Sequence, residues 1–326
     1  MKIFMVGEAA NYKDRLAAEL GTHGLAGTQI VALPREAASA ADHDGEIGAE
    51  DVVISLRLKR GGAALPRCRL LHVPGAGLDG IDFDALADTT TVCNVFEHEG
   101  AIAEFVLASV LNWEIRLDEL RASFVPERWA EIYRSRVPHG ELSGKTVGLV
   151  GFGRIGRAIA VRAKAFGVRI LAADPALSGP QGPVDEVVAL GELLERADYV
   201  VIACPLMDAT RGMVGAAELA GMQPGAVLIN ISRAEVVDEA ALFAALQGGA
   251  IRGASLDVWY RYPSGAADSV PPSTYPFHDL PNVVCTPHSS AITREMWERR
   301  YAIVARNIAA LVHGRPLDNV VRPGRA

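Results

Sequence analysis

A glycine-rich loop, GFGRIG at residues 151–156, has the pattern with the clearest chemical meaning in this chain. An apolar run at 146–150 predicts a β-strand leading into the loop, and the stretch at 157–166 predicts a helix leaving it. A strand, a glycine loop and a helix in this order are the context in which the pattern GxGxxG binds a dinucleotide. The loop therefore predicts a dinucleotide site at the end of a strand.

Each position of the loop has a physical role in such a site. Gly151 permits the tight turn, Gly153 lets the backbone approach a pyrophosphate, and Gly156 allows the helix to pack closely on the strand. The helix N-terminus adds free N–H groups and a partial positive charge. We expect Arg154 and Ile155, which lie between these glycines, to contribute to the same cofactor-binding surface.

An acidic residue follows the loop at the distance that the pattern requires. Asp174 stands eighteen positions beyond Gly156, at the end of the next predicted strand. Its carboxylate can accept hydrogen bonds from the hydroxyl groups of an adenosine ribose, and its negative charge would repel a 2′-phosphate. The sequence therefore predicts NAD, rather than NADP, as the cofactor.

Short apolar, β-branched runs alternate with helical stretches along most of the 326 residues. Strands that are covered on both faces have such apolar runs, and strands joined by helices are parallel. The chain is long enough for two domains. The predicted strands lie at 2–6, 29–33, 52–56, 70–73, 91–93, 146–150, 168–173, 199–203, 226–231, 254–258 and 283–285.

Helical stretches separate these strands, and two segments have a different character. The main predicted helices lie at 14–20, 101–113, 157–166, 190–196, 238–247 and 293–313. The charged and aromatic stretch 116–141 resembles an arm or connector more than a core element. The stretch 263–281, rich in Pro, Ser and Asp, predicts a long loop of the kind that is often functional. The fold class is therefore α/β, with two doubly wound parallel sheets.

Composition and charge argue against several classes of function. The net charge of −7 and the pI near 5.7 are unfavourable for binding a phosphate backbone, so no nucleic-acid partner is expected. No apolar run approaches the ~18 residues of a membrane span, so no membrane partner is expected. The four cysteines lie far apart and form no CxxC pair. We therefore expect no metal site, no disulfide framework and a cytoplasmic location.

Further segments resemble the D-isomer-specific 2-hydroxyacid dehydrogenase family, in the same order over most of the chain. They are LSGKTVG (142–148), LINISR (228–233) with VVDEAAL (236–242), GASLDVW (253–259), NVVCTPH (282–288), VPGAGLDGID (73–82) and the stretch 94–104. Several separate motifs thus agree with the glycine loop, which makes the resemblance specific.

The resemblance implies a flavodoxin-like substrate domain and a Rossmann NAD-binding domain, with the active site in a cleft between them. Carried over to this chain, the substrate domain comprises residues 1–112 and is completed by 292–326, and the NAD-binding domain comprises 113–291. The family is generally dimeric through the NAD-binding domain, with the connector at 114–141 contributing. A homodimer is therefore expected.

The resemblance also implies catalytic roles. Arg233 matches the residue that binds the substrate carboxylate and the reacting oxygen, which suits a guanidinium because it is always charged and presents two parallel donors. His288 matches the general acid/base, which protonates a 2-oxo group during reduction and takes the hydroxyl proton in the reverse reaction. The implied activity is hydride transfer between the nicotinamide of NAD and a small D-2-hydroxy acid or 2-oxo acid.

At a third catalytic position the sequence departs from the family. A Glu that pairs with the catalytic His commonly precedes a proline there, whereas this chain has Tyr262 before Pro263. A carboxylate raises the pKa of a histidine and fixes its tautomer, whereas a phenol can orient the ring but carries no charge near neutral pH. Another carboxylate in the following loop, such as Asp268 or Asp279, could take its place in space.

The remaining residues implied by the resemblance fall into two groups. Besides the glycine loop and Asp174, the residues expected to contact the cofactor are Cys204, Pro205, Ile231, Asp257 and His288. The residues expected to contact the substrate are Gly75, Ala76, Gly77, Asn94 and Arg233. We expect His72 and His98, which are near the substrate loops, to have structural roles.

The missing Glu leaves other functions open. Related NAD-dependent formate dehydrogenases also lack this Glu, because formate oxidation transfers a hydride without an acid/base step. An NAD(H)-sensing regulatory protein on the same fold would also tolerate Tyr262. A redox sensor that uses Cys204 is a weaker alternative, because no cationic residue flanks this cysteine in sequence.

Overall fold

A computed structural model describes residues 1–263 and 269–325. The strands are β1 Ile3–Val6, β2 Ile30–Leu33, β3 Val52–Ile54, β4 Leu70–His72, β5 Thr91–Cys93, β6 Thr146–Val150, β7 Arg169–Ala173, β8 Glu186–Val187, β9 Tyr199–Ile202, β10 Val227–Asn230, β11 Gly253–Leu256, β12 Val283–Cys285 and β13 Val320–Arg322. The α-helices are α1 Lys13–Thr22, α2 Glu99–Ile115, α3 Leu117–Ser123, α4 Trp129–Arg134, α5 Arg154–Ala163, α6 Leu190–Arg196, α7 Ala216–Ala220, α8 Glu239–Gln247 and α9 Arg294–Val312.

The chain forms two compact units, which differ in their bounds from the expected domains. The first unit comprises Met1–Glu97 and Thr293–Ala326, and the second comprises His98–Ile292. The expected boundary after residue 112 would assign most of α2 to the first domain. In the structure α2 packs against α5, and the indole nitrogen of Trp113 donates to the hydroxyl of Ser255 at 2.9 Å. These contacts make α2 part of the second unit.

The first unit is a mostly parallel sheet with the strand order β13-β5-β4-β3-β1-β2. Strand β13 is antiparallel to β5 and forms one edge, whereas the other neighbouring pairs are parallel. Without this edge strand, the order 2-1-3-4-5 is that of the flavodoxin-like fold. Helices α1 and α9 contribute Leu16 and Ile308 to one apolar core of this sheet. The predicted flavodoxin-like architecture is therefore confirmed.

The second unit is a parallel sheet with the order β12-β11-β10-β9-β6-β7-β8. Counted from β6, this order is 3-2-1-4-5-6-7, which contains the strand order of a Rossmann fold. Side chains of α2 and α5 pack on one face, and those of α6, α7 and α8 pack on the other. Both faces are covered, which explains why the strands are almost continuous apolar runs.

Because the strands of the second unit are parallel, the loops that follow them emerge at the same edge of the sheet. The switch in strand order lies between β6 and β9, and the crevice outside the carboxyl ends at such a point is the usual ligand site of an open α/β sheet. The loops at this edge hold the glycine loop after β6, Asp174 after β7, Cys204 after β9, Arg233 after β10, Asp257 after β11 and His288 after β12.

Two segments outside the sheets also match their expected character. The stretch 116–141 contains the short helices α3 and α4, and its side chains are largely exposed. The described part of the stretch 263–281 is mostly irregular, apart from a 3-10 turn at Phe277–Asp279. Among the residues that the structure describes, no helix has both the length and the apolar character to cross a bilayer.

Candidate active site

The glycine loop joins β6 to α5 and has the geometry that its sequence predicts. Gly151 has a φ of +98°, and a Cβ atom there would lie 2.7 Å from the backbone nitrogen of Cys204. A Cβ atom at Gly156 would lie 2.5 Å from the carbonyl oxygen of Gly151. At Gly153, the exposed N-cap of α5, no described atom lies within 4 Å of the Cβ position. The backbone is thus tightly packed on one side and open at the helix N-terminus, which fits a pyrophosphate.

Asp174 is held beside this loop by backbone donors. One carboxylate oxygen accepts the N–H of Phe152 at 2.7 Å, and the other accepts the N–H of Ala176 at 2.8 Å. The residue is only partly buried, so the carboxylate keeps capacity to accept further bonds. This position and this charge are what recognition of an unphosphorylated adenosine ribose requires.

The two residues between the glycines have different environments. Arg154 begins α5, its side chain is 60% exposed, and its guanidinium lies 3.8 Å from the carboxylate of Glu99. Ile155 is partly buried against the apolar core on the α5 face of the sheet. Arg154 therefore lies on the open side of the loop, while Ile155 also supports the packing of the helix.

The other residues expected to line the cofactor follow β9 and β10. Cys204 is 8% exposed, and burial raises the pKa of its thiol to about 11, so the thiol is protonated at neutral pH. This argues against a role for Cys204 as a redox sensor. Pro205 beside it is exposed, whereas Ile231 is 5% exposed.

Arg233 follows β10 in a turn that is held by Asn230. The side-chain amide of Asn230 donates to the carbonyl of Arg233 at 3.0 Å, and its oxygen accepts the N–H of Ser232 at 3.1 Å. Asn230 is 2% exposed, so it fixes the turn from inside the protein. The guanidinium of Arg233 donates to the carbonyl of Ser232 at 2.9 Å and is partly buried.

His288 lies in a turn after β12 and has an uncommon backbone conformation. Its φ is +55°, in the left-handed region that residues other than glycine adopt at a cost of roughly 1–2 kcal/mol. The backbone N–H of His288 donates to the carbonyl of Thr286 at 3.0 Å, across Pro287. Strained residues of this kind are often found at functional sites, where the surrounding structure holds them.

The hydroxyl group of Tyr262 contacts the imidazole of His288. The phenol oxygen lies 2.7 Å from Nδ1 of His288 and also accepts the backbone N–H of Trp259 at 3.1 Å. Burial raises the pKa of Tyr262 above its usual value, although the positive charge of nearby Arg233 acts in the opposite direction. Tyr262 is therefore a neutral phenol, and Arg233 is close enough to affect its pKa.

Of the two loop carboxylates that could replace the missing Glu, the structure describes one. Asp268 lies outside the described residues. Asp279 is exposed, and its carboxylate lies 3.5 Å from the imidazole of His278. The sequence had left open which group contacts His288, and the structure supplies Tyr262 itself as one partner.

Apart from Arg233, the residues expected to bind the substrate lie in the first unit, after β4 and β5. The amide of Asn94 donates to the carbonyl of Ala76 at 3.0 Å, and Asn94 is 6% exposed. The backbone N–H of Val95 donates to the carbonyl of Gly75 at 3.2 Å. Gly77 is exposed. Asn94 therefore supports the loop that contains the glycines.

Several residues that shape the site were not singled out for this role in the sequence. Asp257, expected to contact the cofactor, is 0% exposed and accepts hydrogen bonds from Thr286, Ser289 and Ser290. The indole of Trp259 donates to the carbonyl of Thr286 at 2.9 Å. Asp257, Trp259 and Thr286 belong to the motifs GASLDVW and NVVCTPH, and Ser289 and Ser290 directly follow the second motif.

Comparison with known proteins places this site in a family. The model "D-isomer specific 2-hydroxyacid dehydrogenase, NAD binding domain" matches residues 107–290, which lie within the second unit and include the glycine loop, Arg233 and His288. The cofactor of this domain is NAD.

The chain is also similar in sequence to individual dehydrogenases and reductases. The chain is 34% identical to a glyoxylate reductase of Korarchaeum cryptofilum over 79% of its own length and 77% of the relative's. It is 34% identical to a D-3-phosphoglycerate dehydrogenase of Methanocaldococcus jannaschii over 78% of its own length. It covers 48% of that relative, so the chain spans about half the length of the D-3-phosphoglycerate dehydrogenases that it matches.

One solved structure superposes on almost the whole chain. The D-lactate dehydrogenase of Lactobacillus jensenii, solved with NAD+, superposes with a TM-score of 0.77 and 27% identity, covering 98% of this chain and 99% of that one. Taken with the Rossmann order of the second unit and the match over residues 107–290, these similarities show that this chain belongs to the D-isomer-specific 2-hydroxyacid dehydrogenase family.

Proposed function

We propose that this protein is an NAD-dependent oxidoreductase that interconverts a small D-2-hydroxy acid and the corresponding 2-oxo acid. The observation that carries this proposal is the pairing of His288 with Tyr262 close to Arg233, at the edge of the sheet that also holds the glycine loop. A proton-transfer group and a fixed positive charge are the two groups that such a reaction requires of the protein.

The glycine loop and Asp174 fit the cofactor and would hold it. The N–H groups at the start of α5 would bind the pyrophosphate beside Gly153, and Asp174 would accept hydrogen bonds from the adenosine ribose. Bound NAD would supply the hydride acceptor, and NADH the hydride donor, at the nicotinamide ring.

Arg233 and His288 would divide the work on the substrate. The guanidinium of Arg233 would bind the carboxylate of the acid and draw electron density from the reacting oxygen. In the reductive direction, protonated His288 would give its proton to the oxygen of the 2-oxo group as a hydride reaches carbon 2. In the oxidative direction, neutral His288 would take the proton of the 2-hydroxyl group.

Tyr262 would orient the imidazole in both states of this cycle. Because Nδ1 faces the phenol, the proton exchanged with the substrate would move at Nε2, so Nδ1 would stay protonated in both states and donate to the phenol oxygen. The Trp259 N–H occupies one acceptor position of the phenol, which fixes the hydroxyl group beside the ring. Unlike a carboxylate, Tyr262 would add no negative charge to stabilise the imidazolium.

The first unit has a loop that suits a small anionic ligand, at the residues for which the resemblance implies substrate contacts. Gly75, Ala76 and Gly77 form a loop at the carboxyl end of β4 whose backbone groups could bind a carboxylate, and Asn94 holds the carbonyl of Ala76. Small residues suit a small substrate here because they leave room beside the backbone.

We also propose that the protein is a homodimer that uses the segment 117–137 of the second unit. This segment carries large side chains that are unusually exposed for apolar groups: Leu117 62%, Leu120 45%, Phe124 56%, Trp129 52%, Tyr133 49% and Val137 81%. The ring of Trp129 lies 5.9 Å from that of Phe124 and 5.3 Å from that of Tyr133, so the aromatic groups form one surface. Such a surface favours burial against a partner.

The dimer and the location of the protein can be tested simply. A double substitution, Phe124→Ser with Trp129→Ser, should yield monomers in sedimentation experiments, and a dimer that persists would reject this interface.

A cytoplasmic location fits the free thiols of Cys68, Cys93, Cys204 and Cys285. Fluorescence microscopy of the tagged protein in its own cells would test it.

The activity is tested by following NADH oxidation with a panel of 2-oxo acids, alongside NAD+ reduction by formate. Turnover of a 2-oxo acid that collapses in a His288→Asn variant would support the proposal. Turnover of formate alone would show that Tyr262 marks a hydride transfer without a proton, and the proposal would be wrong. NADH binding without any turnover would indicate an NAD(H)-sensing protein instead.

A further inference from the structure

A buried arginine of the last helix lies next to the loop at 75–77 in the first unit. Arg300 belongs to α9 and is 6% exposed. Its Nη1 atom lies 4.0 Å from the position that a Cβ atom of Gly75 would occupy. Its Nε–H donates to the carbonyl of Phe96 at 2.9 Å. Because a guanidinium is always charged, Arg300 brings a permanent positive charge to this loop.

The surrounding packing fixes the position of this guanidinium. Its central carbon lies 5.4 Å from the ring centroid of Trp297, one turn earlier in α9. Trp297 in turn stacks on Tyr12, with the ring centroids 4.3 Å apart. Tyr12, Gly75 and Phe96 follow β1, β4 and β5, and the parallel arrangement of these strands brings the three loops to one edge of the sheet. A guanidinium that packs on a ring and binds a carbonyl keeps one orientation, so its charge stays beside the loop.

The backbone of the loop presents hydrogen-bond donors. Two of its carbonyl groups are occupied: that of Gly75 accepts the N–H of Val95 at 3.2 Å, and that of Ala76 accepts the amide of Asn94 at 3.0 Å. Within the described part of the chain, no group accepts the backbone N–H of Gly75, Ala76 or Gly77. Successive N–H groups without a protein acceptor are a common feature of loops that bind anions. The loop therefore fits a negatively charged ligand.

The charge of Arg300 affects the groups around it. Burial raises the pKa of Tyr12 above its usual value, and the negative charge of the exposed Glu8 acts in the same direction, whereas the positive charge of Arg300 lowers this pKa. The preceding residue, Arg299, has a side chain that is 45% exposed and lies 3.4 Å from the carboxylate of Glu97. Solvent and salt weaken the field of an exposed charge far more than that of a buried one. Arg300 is therefore the stronger source of positive potential in this part of α9.

We propose that Arg300 is a positioning residue that determines specificity for anionic substrates: its buried guanidinium supplies the positive charge with which the loop at 75–77 binds the carboxylate of a 2-oxo acid. This inference rests on the proposed function, which assigns substrate contacts to this loop. The backbone N–H groups make the contacts, and Arg300 acts through its electric field. Coulombic attraction falls off slowly with distance in a protein interior, so the guanidinium strengthens binding without touching the substrate. Hydride and proton transfer do not depend on it.

The kinetic test removes this charge or keeps it. Arg300→Gln removes it, Arg300→Lys keeps it, and Arg306→Gln removes an exposed charge from the same helix as a matched control. We expect the KM for the best 2-oxo acid to rise roughly tenfold in Arg300→Gln, with kcat within about twofold of that of the wild type. The KM of Arg300→Lys should stay within about threefold of the wild-type value, because a lysine also carries the charge. Arg306→Gln should behave as the wild type.

A binding measurement does not depend on turnover. Calorimetry would measure the Kd of oxamate, an unreactive analogue of a 2-oxo acid, for each protein saturated with NADH. The Kd should rise roughly tenfold in Arg300→Gln and stay near the wild-type value in Arg300→Lys and Arg306→Gln. Arg300→Met, which keeps an apolar side chain against Trp297 without the charge, is a second neutral variant if Arg300→Gln fails to fold.

The outcomes separate the role of the charge from other roles of Arg300. A wild-type Kd of oxamate in the neutral variants would overturn the inference. Equally weak binding in Arg300→Gln and Arg300→Lys would also overturn it, because the effect would then come from the bond to Phe96. A wild type that binds oxamate but turns over no 2-oxo acid would reject the proposed function alone, since the neutral variants would still decide the role of Arg300. A wild type that does not bind oxamate would overturn both.

Discussion

The phenol oxygen of Tyr262 lies 2.7 Å from Nδ1 of His288, with the two ring centroids 5.5 Å apart and the ring planes tilted by 53°. The tilted rings meet through their polar atoms and are not stacked, so the contact is a hydrogen bond. A neutral hydroxyl thus contacts the ring of His288, where the resemblance implied a carboxylate. Tyr262 can orient the ring but adds no negative charge.

The first prediction concerns this missing charge. In the reductive direction His288 must be protonated, so the rate is lost as the pH rises through the pKa of His288. A carboxylate partner raises this pKa, and Tyr262→Glu should therefore extend reductase activity to higher pH. The pH profiles of kcat for the wild type and the variant would be compared. A wild-type rate that stays flat well above about pH 8 would contradict the prediction, because it would imply a strongly raised pKa without a carboxylate.

Removal of the hydroxyl group tests the other role of Tyr262. Tyr262→Phe should lower kcat by roughly threefold to tenfold, which corresponds to the loss of a neutral hydrogen bond. The KM for the 2-oxo acid should change little, because the proposed function assigns binding of the substrate carboxylate to Arg233. A kcat equal to that of the wild type would mean that the turn alone orients His288.

The third prediction concerns His288 itself. His288→Asn should lower kcat by about 10²–10⁴-fold, because proton transfer is lost. Asparagine is a suitable replacement since it tolerates the left-handed backbone with φ of +55° at this position. The Kd of NADH serves as the control and should be preserved. Near-normal reduction of a 2-oxo acid by this variant would remove His288 from the mechanism.

Arg233 offers a test of carboxylate binding. Arg233→Lys keeps the positive charge but loses the planar pair of donors, so kcat/KM should fall by roughly 10- to 100-fold. Most of the effect should appear in KM if the guanidinium binds substrate and transition state equally. Steady-state kinetics with the best 2-oxo acid would measure it. Full activity of the lysine variant would show that a simple positive charge is sufficient.

Asp174 should determine the preference for NAD. Its charge can be separated from its support of the glycine loop by comparing Asp174→Asn, which can still accept the N–H of Phe152, with Asp174→Ala, which cannot. We expect Asp174→Asn to remove the repulsion of a 2′-phosphate, so that the preference for NADH over NADPH decreases by about tenfold. Asp174→Ala should in addition weaken the binding of both cofactors. An unchanged preference in both variants would assign the selectivity to other residues.

His72 should make the first unit sensitive to acid. It is 0% exposed, and burial lowers the pKa of its imidazole from 6.5 to about 4. Below about pH 6.5 His72 is protonated in the unfolded chain but stays neutral in the folded protein. The free energy of unfolding therefore decreases as the pH falls to about 4. The shift corresponds to about 3 kcal/mol at the acid end of this range.

A non-titrating variant would measure this effect of His72. The Nε2 atom of His72 lies 2.9 Å from the side-chain amide of Asn307, and a glutamine oxygen could accept the same bond. His72→Gln should make the free energy of unfolding in urea less dependent on pH between about pH 6.5 and about pH 4. Equal pH dependence in the two proteins would mean that other groups cause the loss of stability.

The sequence alone was sufficient to predict features that depend on residues close together in the chain. The glycine loop was identified because the turn, the open backbone and the helix N-terminus all lie within residues 146–166. Strands β6 and β12 were predicted to the residue, since each is a short apolar run between residues that favour turns. Arg233 and His288 were predicted as site residues because each lies in a motif, shortly after the strand that the motif contains.

Only the tertiary structure decided which side chains meet. Tyr262 and His288 are 26 positions apart, and Asp257 and Ser290 are 33 positions apart. Their contact depends on the parallel register of β11 with β12, which brings the ends of these strands together. A single sequence contains no information on that register. For the same reason the burial of Asp257 could not be predicted.

The unit boundary and the edge of the first sheet were decided in the same way. Helix α2 has apolar residues that could pack in either unit, and its contacts with α5 assigned it to the second. Strand β13 pairs antiparallel with β5, although 227 positions separate Cys93 from its partner Val320. Local patterns thus determined whether each segment forms a helix, a strand or a loop. Long-range packing determined the contacts of each segment, because strand pairing and burial depend on residues that are distant in the chain.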